Sequence, residues 1–393
     1  MINGILSSTG FTPTINPVTD TVAIGESAGS NLNSDDQHNI AIGSSALNST
    51  GVDCDYNIAI GTSSLTALDT GDGNVAIGYN TGAAISSGNA NTILGSYSGD
   101  LLTTGPGNTA LGYAALSGAN GGEAYNTAIG YHAMLATDND NIDFNIAIGY
   151  GAFKSTTSNA DNNIIIGSEA GNNASFAGDD CIAIGHDAMK GAVAGGTGSD
   201  GTIAIGFEAL TAETSGTYNT AIGFKSQKAS VGGDKNTSLG YESLHTNIDG
   251  VSNTAVGYHA LYTFEAASDD AGGNTAVGQS SLKACTTGTG NTAVGSAAGD
   301  GITDANSNTA IGQLCLSAEA GTGNTAVGRY AGRVITGTYN TCGGMNSMYT
   351  AAAVDSCVAV GYGALYTANH ASVDRSVAIG RGAAYDLNPN SGS

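Results

Sequence analysis

Basic residues are nearly missing from this chain. Ten lysines and arginines stand against 33 aspartates and glutamates in 393 residues, a net charge of −23, and none of the ten occurs before Lys154. Such a chain has little with which to release counterions from phosphates, so no nucleic-acid partner is expected. An anionic membrane surface is disfavoured on the same ground. So acidic a surface is better tolerated where salt shortens the repulsion, and a saline setting is the expectation. Long apolar runs are missing too. No window approaches the roughly 20 residues of a membrane-crossing helix, and no membrane insertion is expected. The stretch from Met1 to Leu6 has neither the basic nor the apolar region of a secretory signal. Arrival outside a cell would then be without such a signal, or by lysis. Cysteine is sparse, and Cys54, Cys181, Cys285, Cys315, Cys342 and Cys357 are scattered over the repeat described next. They read as free structural thiols rather than a disulfide framework.

Glycine is abundant and recurs at a fixed place. Aligned on the glycine of Asn-Thr-Ala-Val-Gly (Asn253–Gly257, Asn274–Gly278, Asn291–Gly295), 21 glycines run from Gly25 to Gly380 at intervals of 16 to 21 residues, about 18 on average. One residue before the glycine stands Ile, Val or Leu in every coil but one, which has Gly343. Three before it every residue is β-branched: Val22, Ile40, Ile58 and Val75, then Thr92, Thr109 and Thr127, and on to Val377. Two before it Ala dominates, with Ile93, Ile165, Ser238 and Cys342 as exceptions. Four before it Asn fills 16 of 21 coils, from Asn39 to Asn340, and three after it only Ala, Ser, Thr or Cys occurs.

Glycine in every coil and a β-branched column argue against a helix. Residues two apart share a strand face. The aliphatic and β-branched columns are therefore expected to form a thin core, and the alanines a flat outer face. The fold class expected is all-β, a parallel β-solenoid of about 21 coils. At roughly 4.8 Å per coil it would be on the order of 100 Å long. Stacked asparagines should bond the coils above and below. Residues 1–20, with Pro13 and Pro17, read as an attachment or capping segment, 21–384 as the repeat domain and 385–393 as a tail. The long intervals Gly185–Gly206 and Gly257–Gly278 carry loop insertions at 191–201 and 263–273.

The run Asn-Thr-Ala-Ile-Gly-Tyr-x-Ala-Leu, as in Asn126–Met134 (Met replacing the final Leu) and Asn253–Leu261, resembles repeats of phage tail fibres. It is also similar to the head repeats of trimeric autotransporter adhesins, to which Thr21–Gly25 and Ser376–Gly380 come nearest. The resemblance spans about residues 21 to 384. It implies a left-handed β-roll assembled as a homotrimer; independently, the face bearing the Ala column and Gly is smooth enough for close backbone approach and reads as the contact. The period is longer than that of adhesin heads, and no coiled-coil stalk, membrane anchor or self-cleaving chaperone domain is visible. The expectation is a non-enzymatic virion fibre or shaft, extracellular, with other structural proteins and a host-surface glycan or protein as partners. A bacterial cell-surface adhesin is the alternative, and an ice-binding solenoid a further one, although Ile146, Ile164, Ile182 and Ile203 interrupt its Thr array.

Several sharper sites compete with plain structural roles. Aromatics follow the glycine at Tyr79, Tyr113, Tyr131, Tyr150, Phe207, Phe224, Tyr241, Tyr258 and Tyr362. They read as a structural ladder before a glycan stripe. Asp138, Asp140 and Asp143, and the pairs Asp35-Asp36, Asp179-Asp180 and Asp269-Asp270, lack the spacing of a calcium loop. The stretch Gly288–Gly295 has Thr292 where a calcium-binding nonapeptide needs Asp. His38, His132, His186, His245, His259 and His370 fall in separate coils without ligand partners at zinc spacing. No catalytic, cofactor-binding or metal residue is assigned, and no cofactor is expected.

Overall fold

The chain is a parallel β-solenoid in a computed structural model that describes residues 14–16, 20–48, 53–137, 142–156, 160–172, 176, 178–191, 199–213, 215–266, 271–368 and 373–387. Among the described residues there is no α-helix. Besides a second strand in two coils, Ala136–Thr137 and Ser155–Thr156, paired parallel with each other, each coil contributes a short strand that ends just before its glycine, as in Ile40–Ile42, Thr220–Ile222 and Thr309–Ile311. The chain divides into two compact units, residues 1–201 and 202–393. The first holds ten such strands, from Thr21–Ile24 to Ile182–Ile184, and the second eleven, from Ile203–Ile205 to Val377–Ile379. Within a unit neighbouring strands pair parallel and in register, so Thr220 meets Thr237 and then Thr254, and Ala255 meets Ala276 and then Ala293. Thr14–Asn16 pairs antiparallel with Thr21–Ile24. Pro13 and Pro17 lie outside the described residues. At the other end of the second unit, Leu387 donates its N–H to the Thr367 carbonyl at 3.0 Å, so the start of the tail still follows the stacking.

The strand faces are the reverse of the expectation. Ala41, Ala59, Ala128, Ala255 and Ala310 are fully buried, while Ile77, Leu111, Leu239 and Val327 are 37 to 47% exposed. Period-two alternation says which columns share a face, and side-chain volume decides which face turns inward. The interior is narrow. Its large side chains come from the fourth residue after the glycine, including Leu47, Leu65, Leu116, Phe153, Leu210 and Leu261, and from the seventh, including Leu68, Ile85, Leu102 and Ile302, all fully buried. Only a small side chain fits opposite them: Ala in most coils, Ser238 in the coil of Leu244 and Cys342 in that of Met348. Where the Ala column does hold Ile93 or Ile165, the fourth residue after that coil's glycine is Gly99 or Gly171. A Cβ there would come 2.9 Å from Ile93 or 3.0 Å from Ile165. Where glycine holds that place and the strand keeps Ala, as at Gly82, Gly299 and Gly332, a Cβ would meet Ile85, Ile302 or Ile335 from the seventh place, so neighbouring columns trade volume across the interior.

The chain turns after each glycine through left-handed residues. Ser45 (φ 56°) and Leu47 (φ 47°) are two and four places after Gly43. This conformation aims the Ser45 N–H at the Glu26 carbonyl of the preceding coil (2.8 Å) and the Leu47 N–H at the Ser64 carbonyl of the following one (2.9 Å). β-Branched side chains tolerate positive φ worst. No Val, Ile or Thr is among the described non-glycine residues that adopt it.

Candidate functional site

Two kinds of side-chain ladder run along each unit, one buried and one exposed. The buried ladder is asparagine. Asn57 Oδ1 accepts the backbone N–H of Asn74 at 2.9 Å, and Asn57 Nδ2 donates to the Gly71 carbonyl of the next coil at 2.9 Å. The same pair recurs where Asn145 Oδ1 accepts from Asn163 (2.9 Å) and Asn274 Oδ1 from Asn291 (2.9 Å). These amides are out of water, so each rung satisfies groups that would otherwise be costly to bury.

A third column, six residues before the glycine, repeats the device with carboxylates. Asp161 Oδ1 accepts the Asp143 N–H (2.8 Å), Asp179 Oδ1 the Asp161 N–H (2.8 Å) and Asp200 Oδ1 the Asp179 N–H (3.0 Å). Burial, with the charge of Asp161 adding to it, raises the Asp143 pKa against the opposing hydrogen bond from Ala124. Of the acidic loop residues singled out above, Asp36 is also an acceptor for backbone, taking the N–H groups of Cys54 (3.0 Å) and Asn33 (2.8 Å). Asp138, Asp140, Asp269 and Asp270 lie outside the described residues, as does His370. Among the described residues no group of three or more His, Cys, Asp or Glu side chains is placed to hold a metal ion.

The exposed ladders are aromatic. Tyr113, Tyr131 and Tyr150 stack at 5.2 and 5.7 Å between ring centres, and Tyr97, displaced by one position, joins them to Tyr79. In the second unit Phe207, Phe224, Tyr241 and Tyr258 stack at 5.0 to 5.3 Å. All of these rings keep a third or more of their surface exposed. Another exposed set, five residues before the glycine, escaped the sequence reading: Tyr56, Tyr125, Phe144, Tyr218 and Tyr339. Their signal was a position that takes glycine, alanine, aromatic or polar residues and never a β-branched one, as its positive φ requires. A scan against protein-family models and a search of curated proteins returned no match to the chain.

Several of the histidines lie against aromatic or carboxylate neighbours. His132 lies against Tyr131 at 3.9 Å, and its pKa is lowered by burial and, next, by Lys154. His259 Nε2 is 3.0 Å from Glu242 Oε2 in the preceding coil, and His186 is 3.3 Å from Asp187. The thiols of the six cysteines are buried and unpaired in disulfides. Burial is the largest cause that pushes Cys54, Cys285 and Cys315 up to about 12, which leaves them as thiols at neutral pH.

Proposed function

We propose that the chain is a non-enzymatic structural protein of a virion fibre or shaft, of the phage tail-fibre kind, that assembles as a homotrimer. The observation that carries the reading is the outer strand face. It repeats aliphatic side chains, exposed at positions such as Leu111, Leu239, Ile311 and Val327 and partly exposed in other coils, and exposed aromatics stand on either side of the strand in sequence, such as Tyr125 and Tyr131. Apolar surface repeated in this way is unusual on a protein that stays alone in water. Three copies closing around an axis would cover it. The contact assigned here is therefore this face and not the alanines, which are inside. Residues 1–20 would attach to neighbouring structural proteins, and exposed loops would meet a host-surface glycan or protein. Light scattering after size exclusion tests the assembly. A mass near three times the 38.6 kDa chain is expected, and a mass of one chain overturns it.

One observation favours a second reading. From Thr220 to Thr341 eight consecutive coils present threonine in register on the outer face. A flat threonine array is suited to ordering water, as in an ice-binding solenoid. Thermal hysteresis of a monomeric sample would support it, and its absence would dispose of it.

A further inference from the structure

All four arginines of the chain lie between residues 329 and 381, in a chain of net charge −23. Residues 328–385 hold those four against two carboxylates, Asp355 and Asp374. Both carboxylates are occupied by backbone. Asp355 Oδ1 accepts the Thr338 N–H at 2.6 Å, and Asp374 Oδ1 accepts the Asp355 N–H at 2.9 Å. Among the described residues no arginine makes an ion pair; the pairs there use lysine and histidine. Arg333 acts on Asp300 at a distance: burial raises the Asp300 pKa, and the charge of Arg333 is among the influences that oppose it.

Three of the guanidinium groups, those of Arg329, Arg333 and Arg381, lie over tyrosine rings instead. Arg333 sits between two rings, its Cζ 5.2 Å from the centre of Tyr330 and 5.3 Å from that of Tyr349, and it donates to the Tyr349 hydroxyl. Arg329 lies 4.5 Å over Tyr330 and donates to its hydroxyl at 2.9 Å. The row continues from Tyr349 to Tyr366 (5.1 Å) and Tyr385 (4.7 Å), nearly parallel rings whose edges follow one another at the coil spacing. Tyr113, Tyr131 and Tyr150 make a comparable row in the first unit with no arginine among their ring contacts. A guanidinium has five donors, and these two each spend one on a phenol. The rest form a planar fork fixed in place before any anion arrives, which suits a carboxylate taken by two bonds. The Tyr366 and Tyr385 hydroxyls, further along, can exchange hydrogen bonds with neutral hydroxyls.

We propose that Arg329, Tyr330, Arg333, Tyr349, Tyr366 and Tyr385 form a binding site for a saccharide that carries carboxylate groups. The fork takes the carboxylate and the phenol edges take the sugar hydroxyls along a strip about 14 Å long over four coils, at ~4.8 Å per coil. The site belongs to a single chain and does not rest on the trimer.

Calorimetry with a uronic-acid tetrasaccharide, in 150 mM salt and on a sample whose mass is measured alongside, tests this. The expected result is saturable uptake, at least tenfold weaker for the glucose tetrasaccharide of the same linkage. Arg333→Lys keeps the charge and its contact with the rings but not the fork, and should weaken binding at least tenfold at an unchanged melting temperature. Arg329→Lys gives a second reading of the same kind should the first variant fold poorly. Tyr385→Phe removes one hydroxyl and should weaken binding about threefold. Absence of uptake, equal uptake of the neutral sugar, or unchanged binding by both Arg→Lys variants overturns the proposal. So does a mass that drops in the Arg333 variant without sugar uptake by the wild type, which would give the patch to a second copy of the chain.

Discussion

In residues 1–201 the buried ladder opens with Thr21, runs through eight asparagines from Asn39 to Asn163 and closes with Cys181; in residues 202–393 it opens with Thr202, runs through eight from Asn219 to Asn340 and closes with Cys357, with Ser376 after it. The ladder has a direction, which explains both ends. Each Asn Oδ1 accepts from the coil that follows it, so a first rung needs only an acceptor. The hydroxyls of Thr21 and Thr202 supply one, at 3.4 Å from the N–H groups of Asn39 and Asn219. A last rung needs only a donor toward the next loop. The thiols of Cys181 and Cys357 supply that, to the carbonyls of Ser199 (2.9 Å) and Val373 (3.2 Å). The outer faces do not match in this way. The β-branched column is mostly Ile and Val in the first unit and mostly Thr in the second, which also holds eight of the ten basic residues. Inward columns answer to the coils above and below, and are alike. Outward columns answer to whatever meets them, and differ.

The largest effect should come from the motif glycine, and it should depend on whether a coil follows. Gly223 has φ +137°, and a Cβ there would fall on the Gly240 carbonyl. Gly380 has φ +122° and nothing within 4 Å of the same position. Gly223→Ala is expected to cost more than about 4 kcal/mol, and Gly380→Ala about 1–2 kcal/mol of backbone strain alone. Urea unfolding of the two variants measures the gap. Equal costs would mean that φ, not the stacked carbonyl, dictates glycine.

A middle rung comes next. Asn253 Oδ1 accepts the Asn274 N–H (3.0 Å), and its own N–H donates to Asn236 Oδ1 (2.9 Å). Asn253→Ala strands the buried Asn274 N–H without a partner and should cost about 2–4 kcal/mol. Faster hydrogen exchange is expected at the Asn274 amide and none at Asn340, four rungs further on. Uniform acceleration would mean that the ladder melts as one body.

A smaller contrast separates the two strand faces at neighbouring positions. Ala276 is fully buried and Thr275 half-exposed beside it. Ala276→Val overfills the interior, at about 1–3 kcal/mol. Thr275→Val leaves stability within about 0.5 kcal/mol. Thermal melts of the pair check this, and the opposite order would restore the inside-out assignment that hydrophobicity alone suggests.

That assignment marks how far the sequence was legible. The period, the parallel coil and the asparagine ladder follow from spacing, because a side chain that must bond its own copy one coil away has to recur at the coil length. The facing of the strand does not follow from spacing. Ile-Ala-Ile reads as core, surface, core until Leu47, Leu65 and their equivalents are seen to fill the interior from a left-handed turn, a conformation that no residue type announces. The carboxylate ladder was hidden because its acceptors alternate with Thr and Pro, as at Thr217 and Pro106. The arginine and tyrosine row was hidden because Tyr330 and Tyr349 occupy different places in their coils, and only stacking brings Arg333 between them.

The smallest effect should test the closing residue. The Cys357 N–H donates to Asn340 Oδ1 at 2.9 Å, as an asparagine there would. Its sulfur is a weaker acceptor than an amide oxygen for the Ser376 N–H of the next coil, which also donates to the Val373 carbonyl at 3.2 Å. Cys357→Asn would add a rung: Oδ1 toward the Ser376 N–H and Nδ2 toward the Val373 carbonyl that now receives the thiol. The site is fully buried but stacked in register with eight asparagines, so the shape of the column already accommodates the amide. A gain of about 0.5–1 kcal/mol is expected, read as a higher melting temperature and slower exchange at the Ser376 amide. A loss of stability would show that cysteine closes the ladder because the last coils have narrowed, and that the ladder's length is set by space and not by its hydrogen bonds.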